Sequence, residues 1–129
     1  YRLSDAHLLL AEIKNKLGED PTNEIMLVRN RAYNGTAPQF VHGNFESNEL
    51  AIFRERSKEF VFEGKRWYDL RRMQDANGQP LVFRKDIPLV GVLDNVEGQK
   101  HKILWPVDIG TMAADPTLTG DQNPGYSGT

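Results

Sequence analysis

Arg54-Glu55-Arg56-Ser57-Lys58-Glu59-Phe60-Val61-Phe62-Glu63-Gly64-Lys65-Arg66-Trp67-Tyr68-Asp69-Leu70-Arg71-Arg72 is the densest stretch of this chain. Both charge signs are interleaved at helical spacing. Arg56–Glu59, Glu63–Arg66 and Lys65–Asp69 can each meet as i,i+3 or i,i+4 pairs. The apolar positions continue a stripe that starts upstream: Leu50, Phe53, Ser57, Phe60/Val61, Gly64 and Trp67/Tyr68. That spacing predicts one long helix from about Ser47 to Met73, with its aromatics packed in the core. Gly64 inside it would cost about 1 kcal/mol relative to alanine, and a close approach of another backbone is the expected compensation.

Two shorter helices are predicted before it. Leu3, Ala6, Leu10, Ile13 and Leu17 recur at three and four residues, so this stripe is expected to face the core. Gly18 stands where a C-terminal cap belongs, and Glu12–Lys16 is a favourable i,i+4 pair. Asp20-Pro21 then offers a cap followed by proline at a first helical position. The second helix is expected to run to about Ala32 or Tyr33 and to stop at Asn34-Gly35. A connection this short predicts an antiparallel pair. Thr36 to Phe45 reads as a loop.

After Asn77-Gly78 the pattern breaks up. Pro80, Pro88, Pro106, Pro116 and Pro124 leave short extended pieces at Leu81–Phe83, Leu89–Leu93 and Lys102–Trp105, with a helical turn or two over Asp108 to Ala113. The fold class expected is mostly α, with helix pairs, a long third helix and an irregular, proline-punctuated C-terminal segment.

Composition narrows the chemistry. The chain has 129 residues and a formal charge of −2, so no overall positive field draws it to nucleic acid or anionic lipid. Its mean hydropathy is −0.56, and no apolar run approaches the ~18–20 residues that span a bilayer. It has no cysteine, which removes disulfides, cysteine-ligated zinc and a thiol nucleophile together. The quoted run carries seven Arg and Lys, but its four acids spoil a one-signed phosphate-binding face. Glu55, Glu59 and Glu63 fall on one helical face, where a glycosidase needs two carboxylates about 5–9 Å apart. Their cationic neighbours hold them ionised, which is wrong for a general acid. His7, His42 and His101 show no ligand spacing, and Asp115 to Gly120 imitates a calcium loop whose twelfth position is Tyr126, not glutamate. No catalytic residue, metal ligand or cofactor is assigned.

The quoted run resembles a segment of the SusD/RagB family that reads E-R-x-x-E-F-x-F-E-G-x-R-W-x-D-L-R-R. Glu55, Arg56, Glu59, Phe60, Phe62, Glu63, Gly64, Arg66, Trp67, Asp69, Leu70, Arg71 and Arg72 match it. Leu8-Leu9-Leu10-Ala11-Glu12 and Val28-Arg29-Asn30-Arg31-Ala32 resemble the helix pair before that segment. Leu118-Thr119 with Gln122-Asn123-Pro124-Gly125-Tyr126 resembles the end of the family's chain. Pro106-Val107-Asp108 replaces a Pro-Ile-Pro element, Gly120-Asp121 is inserted, and Arg84 to Lys100 has no counterpart.

The resemblance implies that residues 1–129 are the C-terminal portion of a longer protein with tetratricopeptide-like helix pairs. It implies an outer-membrane, surface-exposed lipoprotein, held by an N-terminal lipid lying outside this sequence. Such a protein captures oligosaccharides or other nutrients for a TonB-dependent transporter, performs no catalysis and binds no nucleic acid. The alternative is a helical protein–protein scaffold with no ligand of its own. No ligand-binding residue is assigned. Trp67 and Tyr68 are expected in the core and Trp105 is expected to pin down the C-terminal segment, which leaves Phe40 and Phe45 as loop aromatics.

Overall fold

A computed structural model describes residues 2–118 and 120–126. The chain divides into two compact units at the Leu81/Val82 junction. Among the described residues there is no β-strand, and the one β-bridge joins Gln74 to Pro80. The mostly α expectation holds.

The first unit carries α1 (Leu3–Leu17), α2 (Thr22–Ala32), α3 (Phe45–Glu59) and α4 (Arg66–Arg72). Gly18 ends α1 in the left-handed conformation, φ 77°, as the sequence predicts. The Asp20 carboxylate accepts from the Thr22 amide at 2.8 Å and satisfies an otherwise orphaned donor at the start of α2. Asn44 caps α3 by accepting from the Ser47 amide at 2.9 Å. Lys14 near the end of α1 meets Glu24 near the start of α2 at 2.8 Å, so the pair runs antiparallel. α3 also runs antiparallel to α1, since Asn15 reaches Glu49 in its first half and Asp5 reaches Arg56 in its second.

Two expectations are overturned. The third helix is not continuous: α3 stops at Glu59 and α4 begins at Arg66. Between them Phe62 and Gly64 take φ of 64° and 71°, which no right-handed helix contains. Gly64 is therefore a turn residue and not a helix-interior one. A side chain there would touch nothing, so its conformation, and not a neighbouring backbone, accounts for the glycine.

The face of α1 is also reversed. Leu3, Leu10, Ile13 and Leu17 are 75, 43, 53 and 68% exposed. The buried side is Ser4, Asp5, Leu8, Ala11, Glu12 and Asn15. Glu12 does pair with Lys16, at 3.4 Å. The core behind this face is small: Leu8 and Val28 close on Phe60, and Ile25, Ile52, Phe53, Leu70 and Met73 are buried beside them.

The second unit is held by turns. The expected extended pieces are not strands: Leu81–Phe83, at the junction, is a 3-10 helix, Leu89–Leu93 begins in a turn with Leu89 at φ 61°, and Lys102–Trp105 starts inside the 3-10 helix Glu97–Ile103. α5 (Ile109–Ala114) forms as expected, capped by Asp108 accepting from the Thr111 amide at 2.9 Å. The tail motif is a clasp. Gln122 pairs with both peptide groups of Val107, at 2.8 and 3.0 Å, and Tyr126 Oη donates to the Leu104 carbonyl at 2.8 Å. Tyr126 also meets His101 edge-on at 4.7 Å between ring centroids. Gly125 is obligatory there, because its φ is 91° and a Cβ would sit 2.4 Å from the His101 ring. Thr119 of that motif lies outside the described residues. Trp105 is not a pin: only its carbonyl is held, by Asn123, and its side chain leaves the residue 73% exposed.

Candidate functional site

The quoted run builds a charged cleft in the first unit. Asp5 and Leu9 on α1, Arg56 on α3, Lys65 in the turn, and Tyr68, Asp69 and Arg72 on α4 enclose about 350 Å³. Arg56 is buried and forks between two helices, donating from Nε to Asp69 Oδ2 and from NH1 to Asp5 Oδ1, both at 2.9 Å. Lys65 Nζ donates to the second Asp5 oxygen at 2.7 Å. Arg72 donates to Asp69 Oδ1 at 2.7 Å and to Glu12. Arg56, Lys65 and Arg72 thus meet Asp5, Asp69 and Glu12, and Lys16 joins them at Glu12.

Burial alone would raise the Asp5 carboxyl. Hydrogen bonds from Lys65 and Arg56, with their charges, more than offset it and hold Asp5 below its ordinary value. The cations also surround an aromatic ring: Lys65 Nζ and the guanidinium carbons of Arg56 and Arg2 lie 4.2, 5.0 and 5.1 Å from the Phe60 centroid.

The helical i,i+3 and i,i+4 pairs expected for Arg56 and Lys65 give way to this longer-range pattern. Glu63 is not on one face with Glu55 and Glu59, since it lies beyond the end of α3. Glu55 accepts from Arg29 at 2.9 Å and from Lys58 at 3.2 Å. Glu59 accepts from Arg31 at 2.5 Å and pairs with Arg2, and Glu63 accepts from Arg2 at 2.6 Å. Every carboxylate of the glycosidase reading is thus ion-paired. The quoted family segments turn out to be partners of one another: Glu12 meets Arg72, Arg29 meets Glu55, and Arg31 meets Glu59. Pairing between distant segments leaves no mark on periodicity, so sequence reasoning missed it.

Phe53 and Phe60 are in the core as expected, whereas Trp67, Tyr68 and Phe40 are placed differently from expectation. Trp67 is half-buried, and Tyr68 is 64% exposed on the rim of the cleft. Phe40 is buried, with the Arg29 guanidinium 5.8 Å from its ring. Phe45 is half-buried at the start of α3. Among the described residues no group of His, Asp and Glu is placed to hold a metal. None of their helices is long and apolar enough to cross a membrane.

The SusD family profile matches residues 1–126, the charged run and the tail clasp included. The chain belongs to the SusD family. It is 31% identical to SusD-like protein P38 of Formosa agariphila, across 98% of this chain and 24% of that protein. A SusD superfamily protein of Bacteroides fragilis, solved by crystallography, superposes with a TM-score of 0.82 at 42% identity, over 98% of this chain and 28% of that one. B. fragilis NanU superposes with a TM-score of 0.68 at 34% identity, over 98% and 26%. This chain therefore spans about a quarter of the length of these SusD relatives.

Proposed function

We propose that this chain is the C-terminal part of a surface-exposed outer-membrane lipoprotein that captures oligosaccharides or other nutrients and passes them to a TonB-dependent transporter. The family match over residues 1–126 carries the reading. The acids of the charged run support its non-catalytic character. A two-carboxylate glycoside hydrolase needs one carboxyl free to give up a proton, and here Glu55, Glu59, Glu63 and Asp69 each face a guanidinium. On this reading the charged run holds the helices together, and capture rests on aromatic rings against sugar faces with polar groups on the hydroxyls.

Calorimetry of the longer polypeptide against a panel of plant and host oligosaccharides tests the proposal. The expected result is saturable binding by the longer polypeptide and much weaker binding by residues 1–129 alone. Equal affinity of the two, abolished by Tyr68→Ala or Trp105→Ala, would place the ligand site in this part of the molecule. No binding by the longer polypeptide, with a transporter still co-purifying, would favour the protein–protein scaffold.

A further inference from the structure

The loop between α2 and α3 is anchored at two places. Phe40 is buried, its amide donates to Met26 Sδ of α2 at 3.4 Å, and Arg29 donates to the Pro38 carbonyl at 3.0 Å. Further on, Asn48 of α3 accepts from the Gly43 amide at 2.9 Å and donates to the Gly43 carbonyl at 3.1 Å. Between these anchors stand Val41 and His42, both exposed.

His42 Nδ1 has two neighbours that make opposite demands on it. Asn48 Nδ2 lies 3.3 Å away, and Asp20 Oδ1, in the turn between α1 and α2, lies 3.5 Å away. The Gly43 amide fixes the Asn48 oxygen toward itself, so the group presented to the ring is the NH2. An NH2 donates, so that contact needs Nδ1 without a proton. A carboxylate accepts, so the contact with Asp20 needs Nδ1 with one. One nitrogen cannot serve both.

The contact with Asn48 is the easier to give up. Asn48 Nδ2 faces three acceptors, namely His42 Nδ1, Asn15 Oδ1 and the Gly43 carbonyl, and has two hydrogens to share among them. It keeps two partners when His42 turns away. Asp20 is ready to receive the ring: the Thr22 hydroxyl and amide, then the charges of His42 and Lys14, hold its carboxyl below the ordinary value. Lys14 is itself paired with Glu24 at 2.8 Å. On the α3 side the neutral Asn48 faces the ring, and the Glu49 carboxylate lies beyond it, behind Asn15.

We propose that His42 is an acid-closed clasp: uncharged, its ring takes the Asn48 amide; protonated, it turns to Asp20 and ties the α2–α3 loop to the α1–α2 turn. Histidine changes charge between about pH 5 and 8, so the loop is held more tightly at the acid end of that range. The two side chains are 44 and 59% exposed, which limits the gain to about two- to fivefold in loop closing. The clasp does not depend on whether the longer protein captures a sugar.

Hydrogen exchange of the longer polypeptide, read by mass spectrometry on the peptide spanning residues 37–43, tests it. Each rate is divided by that of the unstructured peptide at the same pH. Protection should be about two- to fivefold higher at about pH 5 than at about pH 8, and the difference should shrink in about 1 M salt. Asp20→Asn, which can still cap Thr22, and His42→Gln should each abolish the difference. Equal protection of the unsubstituted protein at both pH values would overturn the clasp. A difference that survives Asp20→Asn would assign the effect to Glu49, acting through Asn15 and Asn48, and overturn it too.

Discussion

Arg56 Nε lies 2.9 Å from Asp69 Oδ2 with both residues buried, and the same guanidinium reaches Asp5 at 2.9 Å on another helix. One side chain therefore joins α1, α3 and α4. Arg56→Ala should destabilise the protein by about 3–5 kcal/mol, because two buried carboxylates each lose a partner. Urea denaturation followed by circular dichroism reads this as a fall in midpoint. Lys100→Ala, which breaks the exposed pair with Glu97, should leave the midpoint unchanged.

Glu49 and Asp5 should give stability opposite pH limbs. Glu49 is wholly buried, and Asn15 donates to one of its oxygens at 3.0 Å. Burial raises its carboxyl above the ordinary 4.5, aided by the negative charge of Glu12 and opposed by Asn15, Lys16 and the Gln74 backbone. A raised group contributes stability that is complete below 4.5 and is lost as pH rises through the folded value. Asp5 is lowered, so its contribution is present above 3.8 and is lost as pH falls through its folded value. Glu49→Gln should therefore raise the melting temperature at pH 7 and make little difference at pH 4. Equal gains at both pH values would show that the proton on Glu49 is irrelevant.

Phe60→Ala should cost about 3–5 kcal/mol. Its ring closes the cluster with Leu8 and Val28 and carries the three cations on its faces. Thermal unfolding with matched chemical denaturation is the check. A loss near that of an exposed alanine substitution would contradict the packing.

Gly64 offers a test of sign. In a continuous helix, Gly64→Ala would stabilise by about 1 kcal/mol. With φ at 71° it should instead destabilise by about 1–2 kcal/mol, the penalty of a left-handed L-residue. The direction of the shift in urea midpoint decides between a bent and an unbroken α3–α4.

The helical class, the ends of α1 and α2 and the family are all legible in the order of residues. Those signals are local: Gly18, Asp20 and Asn34-Gly35 act within a few residues, and the motif from Glu55 to Arg72 is contiguous. Which way α1 faces depends on contacts with the other helices. Periodicity located its apolar stripe correctly and assumed that apolar means inward. The opposite side is buried because Asp5, Glu12 and Asn15 find partners in Arg56, Arg72 and Glu49, which stand 51, 60 and 34 residues further along the chain. A buried charge is stable only when such a partner arrives, and spacing within one helix carries no information about arrivals from another. The break at Phe62 and Gly64 was hidden for the same reason. Trp67 and Leu70 keep helical spacing across the turn, and it is the reach of Arg56 to Asp69 and of Lys65 to Asp5 that folds α4 back toward α1.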